Sequence, residues 1–178
     1  MDRRLIVGIA LASVAAFSAA GCGSDSKEAK EAPEVVWAGK ACGALKQTSA
    51  LPVPQIEPAN VAKSKASLVN MLEGIGQRMR TMEMALAGLG KPPVPNGDAL
   101  YRTTMGRLTS THSGVTTAKR RLEQAKVTDA KSLKGAMDQM KKAFGSYNGY
   151  QGPQADLRAD PALNAAFAKA PACQTAKG

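Results

Sequence analysis

The sequence predicts an all-α protein, an antiparallel helical bundle of three long helices with short first and last helices. Composition is the first reason. The chain has 178 residues, 44% of them apolar but only 4% aromatic, and Ala, Leu and Met outweigh the β-branched and aromatic residues that strands prefer. Periodicity is the second. Leu68, Leu72, Ile75, Met79, Met82, Leu86 and Leu89 recur at spacings of 4, 3, 4, 3, 4 and 3, the heptad seam of a single helix, and later stretches repeat the pattern.

The first element after the amino-terminal region is a short helix over 35–48, with Val36, Ala41 and Leu45 on one side and Cys42 beside them. Pro52, Pro54 and Pro58 then impose an extended connection. The long seam helix follows over 59–89, about 45 Å at 1.5 Å per residue. It stops at Gly90 and Pro92-Pro93-Val94-Pro95, a turn between antiparallel neighbours.

Asn96 is the expected N-cap of a third helix, with Asp98 in its first turn. Its seam is Tyr101, Thr104, Leu108, Thr111, Val115, Ala118, Leu122 and Ala125, closed by Thr128-Asp129. A fourth helix runs to about Tyr147 with Leu133, Met137, Met140, Phe144 and Tyr147 on one face. After a loop over 148–153, Asp160-Pro161 forms an N-cap and first-position pair. It opens a last short helix with Leu163 and Phe167 that ends before Pro171. Gly74, Gly76, Gly88, Gly106, Gly114 and Gly135 fall inside these helices, each at roughly 0.8–1 kcal/mol relative to Ala.

The amino terminus places the protein. Asp2-Arg3-Arg4 precedes an apolar run over 5–17 that is short for a bilayer span, and small residues lead to Cys22. Together they read as a signal peptide over 1–21. Ala19-Ala20-Gly21-Cys22 resembles a bacterial lipobox, departing from it at Ala19 where that pattern prefers Leu. The resemblance implies acylation of Cys22, for example with palmitate, and attachment to the outer face of the cell membrane. Ordinary cleavage after Ala20 is the alternative. Residues 22–34 are Ser-, Lys-, Glu- and Ala-rich with no large apolar residue, and read as a disordered tether of about 20 Å root-mean-square span. Residues 35–178 then form the domain.

Three cysteines in an exported chain leave one unpaired unless it is otherwise used. With Cys22 assigned to the lipid, Cys42 and Cys173 remain, and extracytoplasmic conditions favour their pairing over two free thiols. A disulfide there would clip the bundle by closing a loop of about 130 residues, contributing up to ~5 kcal/mol.

The charge is +10, from 24 Lys and Arg against 14 Asp and Glu. Four basic and five acidic residues precede Val35, so the domain keeps 20 against 9, a net +11. Lys119, Arg120, Arg121, Lys126, Lys131, Lys134, Lys141 and Lys142 cluster where the third and fourth helices meet. On a tethered domain such a face suits anionic lipid or an anionic wall polymer. Nucleic acid is not expected, since aromatic stacking partners are missing.

Two motifs hint at metal chemistry. Met79 and Met82 form one M-x-x-M and Met137 and Met140 another. Thioethers select Cu(I), yet all four lie on seams where Met fills a core. His112, the one histidine, lies one position off the third seam; it could ligate haem or copper with a core Met, but reads as a hydrogen-bonded surface residue. No c-type haem attachment motif exists, since neither Cys42 nor Cys173 sits in a C-x-x-C-H, and with the Met positions read as core no metal or other cofactor is expected. Glu73, Glu83, Glu123 and Asp138 lie inside the long helices without the spacing of a catalytic dyad or metal motif, so no enzyme activity is expected.

With Cys22, the segment Trp37-Ala38-Gly39-Lys40-Ala41-Cys42-Gly43-Ala44-Leu45, and the stretch from Ala159-Asp160-Pro161-Ala162-Leu163 to Pro171-Ala172-Cys173, the chain resembles the small secreted lipoproteins of actinobacteria. The likeness covers both ends of the mature domain, and in the middle only the helical pattern. It implies two cysteines near the domain's ends and no catalytic residues to carry over. The expected function is a non-catalytic binding module of the cell envelope with a basic surface. The alternatives are a carrier of a small apolar ligand or Cu(I) in a Met-rich interior, and a structural spacer.

Overall fold

A computed structural model describes residues 31–46, 53–145 and 149–174, and among these residues every regular element is an α-helix. They belong to one unit, Glu31–Gly178. The axis is an antiparallel pair, α2 (Val61–Leu89) and α3 (Gly97–Gln124), whose predicted seams face each other. Leu68, Leu72 and Leu86 of α2 are buried, as are Thr104, Leu108, Thr111, Val115, Ala118 and Leu122 of α3.

The ends of α2 follow from its sequence. Asn60 Oδ1 accepts the Lys63 amide at 3.0 Å, the N-cap bond that satisfies one orphan donor. Buried Ser64 accepts the Glu57 amide and donates to the Glu57 carbonyl, and Ser67 Oγ accepts the Gln55 amide. The proline-rich connection is thus laid along the helix it precedes. At the other end Gly90, at φ 67°, is the C-cap.

The turn into α3 corrects an expectation. Asn96 is the N-cap residue, but it sits in the left-handed region at φ 59° and its side chain caps nothing. Entry depends instead on Gly97, where an added Cβ would collide with the Pro92 carbonyl oxygen. Asp98 does lie in the first turn, complementing the helix dipole.

α4 (Ala130–Gly145) has 16 residues, about half the length of α2 or α3. The expected end at Tyr147 and the side chain of Phe144 lie outside the described residues. α4 therefore covers one half of the α2–α3 pair, and Leu133, Ala136, Met137 and Met140 pack there around Leu68, Leu72, Val115, Ala118 and Leu122. The other half is covered by α1 (Pro33–Leu45), α5 (Pro153–Arg158), α6 (Pro161–Lys169) and α7 (Pro171–Gln174). Their Trp37, Ala38, Ala41, Leu157, Leu163 and Phe167 close on Leu86 and Leu108.

Two of these helices, α5 and α7, depart from expectation, as does the start of α1. Proline explains all three. Pro33, Pro153, Pro161 and Pro171 each open a helix, because the ring presets φ and lacks only a donor that the first turn would leave unpaired. Pro171 therefore starts α7 rather than merely ending α6, and Pro33 with Glu34 in its first turn draws the last two tether residues into α1. At its other end α1 stops at Leu45, where Lys46 turns extended. The expected end at Thr48 lies outside the described residues. Cys42 and Cys173 are joined as a disulfide with Cα atoms 5.2 Å apart and 131 residues of separation, so the first and last helices of the cap are one covalent unit.

Candidate functional site

At the end of the bundle opposite the cap, a groove lies between the end of α3 and α4. Its geometry begins with Lys65 of α2, whose Nζ donates to the carbonyls of Glu123 and Ala125, both at 2.8 Å. These are last-turn acceptors with no helical partner, and a cation there also meets the negative end of the helix dipole. The start of α4 is closed by a reciprocal cap. Asp129 Oδ1 accepts the Ser132 amide at 2.7 Å, and Ser132 Oγ accepts the amides of Thr128 and Asp129 at 3.1 Å. The backbone and side-chain bonds from Ser132 hold the Asp129 carboxyl below its ordinary pKa.

The groove so framed has a volume of about 760 Å³. Arg121, Gln124 and Lys126 form one wall, Ser132, Gln139 and Lys142 the other, and Ala125, Gly135 and Ala136 line it between them. Small residues leave it open: a Cβ at Gly135 would meet nothing within 4 Å. Nearby, Ala118, Leu122, Ala136 and Met140 pack around a remaining space of about 10 Å³, at the limit for one water. Three cations and no carboxylate line the groove. Such a site favours an anion and offers amide and hydroxyl groups beside the charge.

Of the predicted basic residues, Arg121 and Lys142 line this groove, together with Lys126. Arg120, Lys131 and Lys141 are exposed. The other two are engaged elsewhere. Lys119 Nζ lies 2.6 Å from Glu73 and 3.3 Å from Glu123, a bridge between α2 and α3. Hydrogen bonding to Glu73 raises the pKa of Lys119, and the same bond lowers that of Glu73. Lys134 pairs with Asp138 one turn along α4 at 2.9 Å, which raises the lysine and lowers the aspartate. Gln124, Ser132 and Gln139 carry no sequence signal as isolated polar residues. Only the crossing of α3 and α4 gathers them.

His112 is not a surface residue. Its Nδ1 lies 3.2 and 3.1 Å from the two carboxylate oxygens of Glu83, and both side chains are largely buried between α2 and α3. A second cavity of about 280 Å³ lies along this interface beside His112, Gly76, Arg80 and Lys119. The four methionines divide between the two cores. Met82 packs on the cap core, Met137 and Met140 on the other core, and Met79 against both. Among the described residues no three of His, Cys, Asp and Glu cluster in a metal-binding arrangement, and no helix is long and apolar enough to cross a membrane. Cys22 lies outside the described residues.

Together these features define a disulfide-clipped helical bundle with a basic groove. No family model matches the chain, and no match is found among curated proteins or among solved structures.

Proposed function

We propose that the protein is an extracytoplasmic lipoprotein, held at the outer face of the cell membrane by an acylated Cys22, and that it is a non-catalytic binding module for an anionic component of the envelope. The kinship with actinobacterial small secreted lipoproteins is part of the same reading. The observation that carries it is the groove lined by Arg121, Lys126 and Lys142 with no acidic residue. Among the described residues several other cations are paired: Lys63 with Glu57, Arg102 with Asp98, Arg107 with Asp156, Lys119 with Glu73 and Lys134 with Asp138. Pairing of Cys42 with Cys173 also leaves Cys22 as the odd cysteine, free for a lipid.

The test has two parts. Mass spectrometry of the protein extracted from its own membranes should find acyl chains on Cys22; an unmodified chain would remove the anchor. Binding to an anionic polymer or to phosphatidylglycerol vesicles should weaken with salt and in Lys141→Glu with Lys142→Glu, by roughly 1 kcal/mol per charge removed near the surface. Binding indifferent to both would remove the module.

A further inference from the structure

We propose a second binding site: the cavity between α2 and α3 beside His112 takes a small hydroxy acid with an apolar body, its hydroxyl on His112 Nε2 and its carboxylate on Arg80. This cavity shares no lining residue with the basic groove. The site goes beyond the groove and does not depend on it.

The imidazole is fixed from one side. Nδ1 of His112 faces the two carboxylate oxygens of Glu83 at 3.2 and 3.1 Å. A lone pair there would be repelled, so in the neutral ring Nδ1 carries the proton and Nε2 keeps the free lone pair. A carboxylate behind an imidazole in this way sets the orientation of the ring and makes the far nitrogen a stronger acceptor. Among the described residues Nε2 itself has no hydrogen-bond partner.

Gly76 shows where Nε2 points. A Cβ built there would lie 3.9 Å from Nε2 and 4.0 Å from a Val115 methyl, so Nε2 looks across the missing side chain into the cavity of about 280 Å³. Packing does not demand a glycine at this position, because those distances are ordinary contacts and the residue lies inside α2. Glycine is nonetheless poorer than alanine in a helix interior. What it provides is an open approach to Nε2.

The walls define the rest of the ligand. Leu72 and Val115 are buried and give an apolar floor. Gln77, Arg80 and Thr116 are exposed at the rim, so the space reaches the surface. Lys119 and Glu73 hold each other at 2.6 Å, whereas Arg80 has no ion-pair partner among the described residues. The unmatched charge is thus a guanidinium, whose planar fork suits a carboxylate. A metal ion fits poorly, since the Glu73 carboxylate is already held by Lys119 and no three potential ligands cluster among the described residues. At about 280 Å³ the space lies just below the usual range for small-molecule sites, about 300–1,000 Å³. That limits the ligand to roughly one ring with two short polar ends.

The experiment uses the full chain in detergent, isotope-labelled at histidine, with 4-hydroxyphenylacetate as the ligand. Phenylacetate lacks the hydroxyl, and tyramine carries an ammonium in place of the carboxylate. The parent binds 4-hydroxyphenylacetate saturably and the Nε2 resonance of His112 moves with it, while phenylacetate and tyramine each bind at least about tenfold more weakly. Arg80→Gln loses about tenfold for the hydroxy acid. Gly76→Ala also loses at least about tenfold although its thermal midpoint rises, so the loss is not misfolding. Arg121→Gln with Lys142→Gln, at the groove, stays within about twofold of the parent. Phenylacetate binding as tightly as the hydroxy acid, or full binding in Gly76→Ala, would take Nε2 out of recognition and overturn the site. Binding lost in the groove variant instead would make the acid one more anion at the groove. If none of the three compounds binds, the inference falls and the groove reading stands.

Discussion

At one end of the α2–α3 pair, Leu86 and Leu108 are sealed by side chains from α1, α5, α6 and α7, and the disulfide ties the first of these helices to the last. At the other end, among the described residues, α4 is the one helix laid over Leu72 and Val115, with Val127 beside it. Among the described residues fourteen buried side chains form the first cluster and six the second. The two ends must therefore differ in local stability, because opening free energy tracks buried apolar contact. The stiff end is where the chain enters; the softer end carries the groove. A groove on the less constrained end can change shape without disturbing the cap.

The comparison is sharpest when the covalent difference is removed. Cys42→Ala with Cys173→Ala releases a loop closed over 131 residues and should cost about 4–5 kcal/mol, read as a lower thermal midpoint that reductant reproduces in the parent. A loss below about 1 kcal/mol would show that cap packing alone suffices. Phe167→Ala, at a fully buried position, should cost about 3–5 kcal/mol and raise amide exchange throughout. Leu133→Ala should cost about 2–3 kcal/mol and act differently, exposing α4 to exchange while α1 and α6 stay protected. If α4 and the cap lost protection together, the two ends would be one cooperative unit.

Lys65→Met keeps the aliphatic stem but removes the bonds to Glu123 and Ala125. About 1 kcal/mol of stability should go with them, concentrated in the last turn of α3. Because Ala125 lines the groove, the same change should weaken binding of the anionic polymer although Lys65 does not line the groove itself. Unchanged binding would show that the groove keeps its shape without that tie.

How much of this was legible depended on range. The seams of α2 and α3 were readable because periodicity is local, and the residues named on them are those that the structure buries or packs, except Ala125, which is the C-cap of α3 and lines the groove. The prolines were harder, since the same residue stops one helix and starts the next; Pro153 and Pro171 could have been read as first-position residues in the manner of Pro161. The groove was legible only as a run of basic residues. That Lys119 is consumed by Glu73, 46 positions away, while Lys126 is not, depends on the register of α2 against α3. His112 shows the same limit: Glu83, which faces it, is 29 positions distant.

The smallest effect lies at the cap, where packing is densest and polar atoms are least well served. The Tyr150 hydroxyl, Thr104 Oγ1 and Asp156 Oδ2 are buried without a hydrogen-bond partner among the described residues, while Asp156 Oδ1 holds Arg107 at 2.7 Å. Burial pushes the Tyr150 phenol up to about 12, and the Asp156 carboxylate adds to the rise. The unfolded chain ionises this phenol near pH 10.0. Its contribution to stability is therefore intact below that pH and declines as the pH rises towards the folded value, where the unfolded state has already lost the proton. Tyr150→Phe removes the unpartnered hydroxyl, so near neutral pH its stability should lie within about 1 kcal/mol of the parent. Above pH 10.0 the parent's thermal midpoint should fall faster than the variant's, whatever the other titrating groups do to both. Parallel curves would show that the phenol ionises as freely in the folded cap as in the unfolded chain, and that the cap is looser around Tyr150 than its packing implies.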